Sequence, residues 1–180
     1  MITNLTKNKR MIRLKKLEKS DLPALALYLE ELSPATKARF GPHGYDLLAL
    51  EEFYQNPQHY GFAAFDAFTG QMIAYSVVKA GLLDHELPRL RQYNVGLTPE
   101  RDVTFAPSVA DEWQGARVGS LLYDFMRTEF SRTFYNRVFL WGGVQASNEK
   151  AIRFYQNKNF VKLGEFEYNG NNWDMMATWK

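Results

Sequence analysis

Two segments of this chain carry residue types and spacings suited to chemistry on an anionic ligand. The first is Val109-Ala-Asp-Glu-Trp-Gln-Gly-Ala-Arg-Val-Gly-Ser-Leu-Leu122, which runs from an apolar strand through a short turn into a helical repeat. The first turn of a helix leaves backbone N–H groups without intrahelical acceptors, and the helix dipole adds partial positive charge there. From Gln114 to Ser120 this makes a site suited to a pyrophosphate. Gly115 and Gly119 permit close approach, and Arg117 adds a full charge. The same residues also suit an ordinary glycine-containing loop feeding a core helix. The second segment is Asn148-Glu-Lys-Ala-Ile-Arg-Phe-Tyr-Gln-Asn-Lys-Asn-Phe-Val-Lys-Leu-Gly164. Ala151, Phe154 and Tyr155 share one helical face there. A buried tyrosine on such a face is ordinarily core with a satisfied hydroxyl. With an unperturbed pKa of about 10, it is also protonated and able to donate at neutral pH.

Other chemistries find little support. The chain has 180 residues and no cysteine. Disulfides, Cys-ligated zinc, CxxC redox chemistry and a Cys nucleophile are therefore excluded, and a reducing, cytoplasmic compartment is the expectation. His43, His59 and His85 are widely separated and lack HExxH spacing, so no metal is expected. GxSxG, GxGxxG and the Walker pattern are absent. No apolar run approaches the ~18 residues that span a membrane, and the N-terminus has no apolar leader. Net charge is only +2, but Lys7, Lys9, Arg10, Arg13, Lys15, Lys16 and Lys19 cluster against Glu18 near the start. That run reads as a solvated tail and first strand, with a basic arm for nucleic acid as the less favoured alternative.

The elements that must position these segments can be read from periodicity. Residues 1–10 read as a basic, mobile lead-in, and residues 11–180 as one domain. Met11–Leu17 alternates as a half-buried strand. Ser20-Asp-Leu-Pro23 reads as a helix start capped by Ser20, with leucines continuing to Leu32. Short helices follow from Ser33 to Phe40 and from Leu47 to Tyr54. Tyr60–Asp66 and Met72–Lys79 form a hairpin about Thr69-Gly70. Residues 80–101 are irregular. Val103–Val109 is a strand whose Pro107 demands an edge, a bulge or a splayed position. Val118, Leu121, Leu122, Phe125 and Met126 make the most regular helical stripe. Arg137–Val144 is a buried strand, a helix follows from Ser147-Asn148, and a final hairpin turns at Asn169-Gly170. The order is that of an α/β or α+β domain with a mixed sheet.

Taken together, the two segments resemble a known family. Gln114-Gly-Ala-Arg-Val-Gly119 resembles the Q/R-x-x-G-x-G/A signature of the GNAT superfamily of acetyl-CoA-dependent N-acetyltransferases. Asn148, Ala151 and Phe154-Tyr155 through Phe160 resemble its second signature. The resemblance is strongest from about Val103 to Phe166. It implies a mixed, mostly antiparallel central sheet with helices on both faces and a splayed wedge for the coenzyme. The strand ending at Val109 would bond the pantetheine arm of acetyl-CoA. The amides of Gln114, Gly115, Ala116, Arg117, Val118, Gly119 and Ser120 would hold its pyrophosphate. The strand Arg137–Val144 would splay away. Asn148 would bond the pantetheine, and Tyr155 would protonate the leaving thiolate.

The sequence departs from the pattern at two points. Arg117 stands where a glycine is usual, in a conformation expected to be helical, and Asn159-Phe160 replaces Gly-Phe. The implied reaction is acetyl transfer to an amine, which needs a general base. Glu100 and Asp102 lie just before the cofactor strand and His85 in the irregular loop, and each reads first as a solvated surface residue rather than as the base. Asp111 and Glu112 read as carboxylates at the helix N-terminus. Residues 33–59 and 82–101, with Phe40, Tyr45, Tyr54, His59, Asp84, Glu86 and Tyr93, would build the acceptor pocket for a small-molecule or peptide amine, a mixture that equally suits ordinary loop packing. The alternatives are a non-catalytic GNAT-like domain that senses CoA or binds a partner, and a nucleic-acid module using the basic N-terminus. The terminal aromatic hairpin could pair two subunits as a homodimer.

Overall fold

The computed structural model describes residues 1–179. Its elements are β1 (Ile2–Leu5), β2 (Met11–Lys16), α1 (Leu22–Glu31), α2 (Pro34–Lys37), α3 (Leu47–Phe53), β3 (His59–Asp66), β4 (Met72–Ala80), α4 (Leu87–Arg91), β5 (Asp102–Val109), α5 (Val118–Ser131), β6 (Arg137–Leu140), β7 (Val144–Gln145), α6 (Glu149–Asn157), β8 (Val161–Glu167) and β9 (Asn171–Thr178). The architecture is α/β, with a mixed and mostly antiparallel sheet. The chain forms two compact units. One comprises residues 1–78 and 106–128, and the other residues 79–105 and 129 onward. Strands β4 and β5 run through both.

In the first unit the strand order is β1-β2-β3-β4-β5. Residues 2–5, expected in a mobile lead-in, instead form β1, paired antiparallel to β2 from Ile2↔Leu14 to Leu5↔Met11. Their pattern hides this, because an edge strand with Ile2 and Leu5 both exposed shows no alternation. Ser20 does not cap α1. A 3₁₀ turn over Lys19–Asp21 precedes it, and the Glu18 N–H donates to Asp21 Oδ2 at 2.9 Å. Leu22, Leu25, Tyr28 and Leu29 then bury one face of α1. On α5 the expected stripe is buried at Val118, Leu122, Phe125 and Met126, joined by Tyr123 and Phe130. Each such side chain contributes roughly 1.5–3 kcal/mol by leaving water.

In the second unit β6 lies between β5 and β9, β7 continues along β9, and β8 pairs β9 on its other side. The β8–β9 turn spans residues 168–170 between the paired Glu167 and Asn171, with positive φ at Asn169 (50°) and Gly170 (105°), a conformation that asparagine and glycine tolerate. Leu82, Leu90 and Phe139 form a core cluster, with Leu87, Tyr93, Val95, Leu97, Leu163 and Met176 against it. This gives structure to residues expected to be irregular. Tyr93 lies so close to Gly164 that a Cβ there would stand 2.2 Å from the ring, so β8 must carry glycine at that point.

The boundary between β5 and β6 shapes the region around it. The parallel pairing of β5 and β6 runs from Asp102↔Arg137 to Phe105↔Leu140 and stops, whereas β5 continues to Val109. The expected strand Arg137–Val144 is thus broken at Trp141-Gly-Gly143, where Gly142 and Gly143 take φ of 70° and 67°. Strand alternation places the backbone groups of Phe105, Pro107 and Val109 on one edge, since the Trp141 N–H donates to Phe105 O at 2.9 Å. The opposite edge faces β4: Gly81 N–H donates to Asp102 O and Ala110 N–H to Ile73 O, each at 2.9 Å. Pro107 therefore falls where β6 has already ended, and its missing N–H forgoes no ladder bond.

Asp102 is wholly buried, not a solvated surface group. Arg137 Nε donates to its Oδ1 at 2.7 Å and Arg137 Nη2 to its Oδ2 at 2.9 Å, while the Thr98 N–H donates to Oδ2 at 2.7 Å. Truncating one partner of such a buried pair leaves the other charge uncompensated. Asp102→Ala is expected to lower the unfolding free energy by about 3–5 kcal/mol, measured as a lower urea midpoint with an unchanged slope. A loss under about 1 kcal/mol would show that the pair does not anchor the β5–β6 start.

Candidate functional site

The first unit holds the open part of β5 and the loop after it. Val109 O accepts from Gln114 Nε2 at 3.1 Å, so Gln114 ties the loop back to its own strand and its side chain is occupied. The Ala116 N–H reaches Trp113 O at 3.4 Å, and Ala116 O accepts the Lys7 N–H at 3.1 Å. The first bond of α5 is Leu121 N–H to Arg117 O at 3.0 Å. The N–H groups of Val118, Gly119 and Ser120 consequently have no intrahelical acceptor. They form a positive mouth on a 14-residue helix.

Arg117 is not helical as expected. It sits in the left-handed region with φ of 69°, following Gly115 at 79°, and it is exposed. The chain must reverse sharply to enter α5, and glycine would do this without strain. For a non-glycine residue the left-handed conformation costs roughly 1–2 kcal/mol. Such strain is commonly kept where a side chain has work to do.

Asp111 and Glu112 do not lie at the α5 N-terminus. They belong to a 3₁₀ turn over Asp111–Trp113. Asp111 accepts the hydroxyls of Ser33 and Thr36, each at 3.0 Å. Partial burial raises its carboxyl, but those hydroxyls outweigh it and hold it below the usual range. Glu112 accepts the indole N–H of Trp113 at 3.0 Å. Trp113 itself is buried, with the Arg10 guanidinium 3.4 Å above its ring, and Arg10 also pairs with Asp66 at 3.0 Å. The basic start of the chain is thus partly engaged within the fold.

Of the residues expected to line an acceptor pocket, Phe40, Tyr45, Tyr54 and His59 lie in this unit, among a group that sequence reading missed. His43 Nε2 lies 3.0 Å from the Tyr75 hydroxyl and Nδ1 2.8 Å from Gly44 O. A carbonyl can only accept, so in the neutral imidazole Nδ1 carries the proton and Nε2 accepts from Tyr75. Burial lowers the His43 pKa, which favours that neutral form. Tyr54 and Tyr75 share a hydroxyl contact, Phe40 meets Tyr75 edge-on at 5.9 Å, and Phe53 stacks on His59 at 3.9 Å.

The second unit holds Asn148 and Tyr155. Asn148 caps α6, its Oδ1 accepting the Ala151 N–H at 3.3 Å, which leaves the amide Nδ2 protons for another partner. Tyr155 is 8% exposed, with its ring 5.2 Å from Phe154 and 5.3 Å from Phe160. Burial pushes its hydroxyl pKa well up, so it stays protonated far above neutral pH. The helix closes at Asn159, whose φ of 63° is the left-handed conformation that asparagine tolerates in place of glycine.

Among the groups weighed as bases, Glu100 and His85 are exposed. Glu86 is instead the buried carboxyl of its segment, 2% exposed. It accepts the Gly142 N–H at 2.9 Å and pairs with Arg89 at 3.2 Å. Its pKa is raised, chiefly by desolvation, against the lowering effect of Arg89. Asp84 is exposed, while Tyr93 donates to Asp174 at 2.8 Å. Among the described residues no cluster of His, Cys, Asp and Glu could hold a metal ion, and no helix is long and apolar enough to cross a membrane.

No protein-family model and no curated protein matches the chain by sequence. Solved structures do match it by shape. The GNAT domain of PAT from S. lividans superposes with a TM-score of 0.75 at 18% identity, covering 98% of this chain and 96% of that one. The spermidine N-acetyltransferase of Vibrio cholerae, in complex with CoA and spermine, gives 0.66 at 20% identity, covering 93% and 95%. Salmonella typhimurium yncA, solved with its cofactor acetyl-CoA, gives 0.69 at 15% identity, covering 94% of each chain. An interrupted β5–β6 pairing, the turn into α5 and the tyrosine on α6 thus belong to a chain with the fold of the GNAT N-acetyltransferases.

Proposed function

We propose that this protein transfers an acetyl group from acetyl-CoA directly to a primary amine. One observation carries the reading. Among the described residues no strand pairs β5 on this edge past Phe105, and a 3₁₀ turn and short loop connect β5 to a helix start with unpaired N–H groups. A free strand edge suits an extended amide-bearing arm, and a helix N-terminus suits the pyrophosphate attached to such an arm. CoA has both parts in that order. Two of the similar structures contain CoA or acetyl-CoA, which supports the choice of donor.

The residues then take definite roles. Val109, through its N–H on the free edge, bonds the pantetheine arm. The backbone from Gln114 through Gly115, Ala116, Arg117, Val118 and Gly119 to Ser120 borders the pyrophosphate; the Gln114 and Ala116 N–H groups already bond Asp111 O and Trp113 O, so the amides of Val118, Gly119 and Ser120 hold it, and the Arg117 side chain pairs with it. Asn148 offers its amide protons to the pantetheine. Tyr155 gives its proton to the departing thiolate. The chain has no cysteine to form a Cys acyl-enzyme, and in this reading the amine attacks the thioester itself. A similar structure acts on spermidine, which makes cationic amines the first acceptors to try.

The reading predicts that acetyl-CoA raises the melting temperature. Absence of any shift at millimolar donor would overturn it. Tyr155→Phe is expected to lower turnover by about 10²–10⁴-fold, with CoA affinity within twofold of the wild type. Wild-type turnover would remove the acid role. Because burial raises Tyr155, no loss of rate from its ionisation is expected below about pH 10.

Arg117→Gly separates strain from charge. Relief of the left-handed conformation, less the added freedom of glycine in the unfolded chain, should stabilise the fold by about 0.5–1 kcal/mol. CoA binding should weaken severalfold. Urea denaturation and calorimetric titration with CoA read the two effects apart. Unchanged CoA affinity would show that the guanidinium does not serve the phosphates.

A further inference from the structure

We propose that Glu86 is the proton acceptor for the attacking amine. This inference rests on the acetyl-transfer reading and assigns the base that the reading requires. Glu86 and its partners all lie within the second unit. The Trp141 N–H donates to Phe105 O at 2.9 Å, one residue beyond the end of the β5–β6 register. The next residue, Gly142, donates its N–H to Glu86 Oε1 at 2.9 Å. The carboxyl is therefore fixed one residue past the point where the two strands part.

On the acetyl-transfer reading, the acyl end of the pantetheine lies at the closed end of the β5 edge, by Phe105. Within the same unit the Trp141 N–H bonds Phe105 O, and the next N–H along, that of Gly142, bonds the Glu86 carboxyl.

The charges around Glu86 do not balance. The groups facing it are Arg89 from α4, Asp174 from β9, His85 from its own loop and the Gly142 N–H. Arg89 gives two N–H groups to Asp174, at 2.7 and 3.2 Å, and one to Glu86, at 3.2 Å. Tyr93 adds a fourth bond to the same cluster, at Asp174. Glu86 and Asp174 are each 2% exposed, so two buried carboxyls share one guanidinium. Such a cluster gains by taking up either a proton or a cation. A protonated amine brings both, and Glu86, less well paired than Asp174, is the member that receives it.

In the transfer step the ammonium passes one proton to the Glu86 carboxylate, and the freed nitrogen lone pair forms the C–N bond at the thioester carbonyl. The C–S bond breaks, and the sulfur takes the Tyr155 proton. The extra proton on the new amide nitrogen returns to the tyrosinate, and Glu86 releases its proton to solvent. The products are amide, free thiol and one proton.

The test uses the full chain, acetyl-CoA and spermidine, or the best acceptor from a set of primary amines. Glu86→Gln should lower kcat/KM at pH 7 by about 10²–10⁴-fold, with CoA affinity within twofold. Its rate should recover as pH rises toward the amine's own pKa of about 10, because free amine no longer needs a base. A purely structural defect would not recover with pH. Glu86→Asp should retain part of the activity and the acid limb of the profile. Turnover of Glu86→Gln within threefold of wild type at pH 7, or a loss that stays constant with pH, overturns the proposal. If Glu86→Gln does not fold, ¹³C-glutamate NMR of the wild type decides instead. A side-chain carboxyl that titrates above the ordinary glutamate range, and whose midpoint moves when spermidine is added to the CoA-loaded protein, supports the assignment. Ordinary titration of every glutamate overturns it. A wild type that neither binds nor turns over acetyl-CoA would instead overturn acetyl transfer itself.

Discussion

Everything proposed for this protein depends on β5 losing its partner halfway along. Parallel strands do not part without a cause, because each lost ladder bond leaves a donor or acceptor to satisfy. Here the cause lies in β6. Trp141, Gly142 and Gly143 turn the chain away, with two consecutive positive φ values. A Cβ on Gly143 would stand 2.7 Å from Trp173 O and 2.8 Å from the Phe166 ring, so the turn is packed tightly against its neighbours. The Gly142 N–H freed by the turn is taken by Glu86, and β7 resumes pairing along β9. The deserted strand contributes its own adaptation. Pro107 has no N–H to waste on the open edge, and Val109 O is held by Gln114.

Left-handed residues occupy one helix end in each unit. Arg117 leads into α5 and Asn159 leads out of α6. Both stand where the signature pattern that the sequence resembles has glycine, yet they differ physically. Asparagine visits the left-handed region readily, so Asn159 serves as a helix stop at little cost. Arginine does not, and Arg117 is exposed, so no packing in its favour offsets the strain. A charge directed at the helix mouth is the compensation that the proposed coenzyme site would supply.

Much of the fold was legible because its signals are local. The α5 stripe, the Asn169-Gly170 turn and the strand alternation at Met11 depend on neighbours a few residues away. The candidate site was legible where backbone geometry makes it, in the turn from Val109 to Ser120. It was illegible where long-range pairing makes it. Nothing around Asp102 in the sequence announces Arg137 as its partner, and so a buried ion pair read as a surface carboxylate. Glu86 read only as one of several polar residues of an irregular segment that could line an acceptor pocket. Its burial comes from Gly142 and Arg89, and Arg89 is itself held by Asp174 from β9. The β1 strand was missed for a different reason, since its pairing with β2 buries almost none of its side chains.

Burial shifts Tyr155 and Glu86 in the same direction and suits them to opposite tasks. Desolvation disfavours the charged form of each, raising both pKa values. For the proposed proton donor, the gain is security: a tyrosine raised in this way would still hold its proton when the thiolate needs it. For a proton acceptor, the gain is strength, because a carboxylate that is costly to keep charged takes a proton from an ammonium more readily than one in water does. The limit on that gain is the resting charge, since a carboxyl raised too far would already be neutral. Arg89 and the Gly142 N–H pull the other way and keep the anion attainable. Dividing Arg89 unequally between Glu86 and Asp174 sets the balance, leaving one carboxylate well compensated and the other ready to be neutralised.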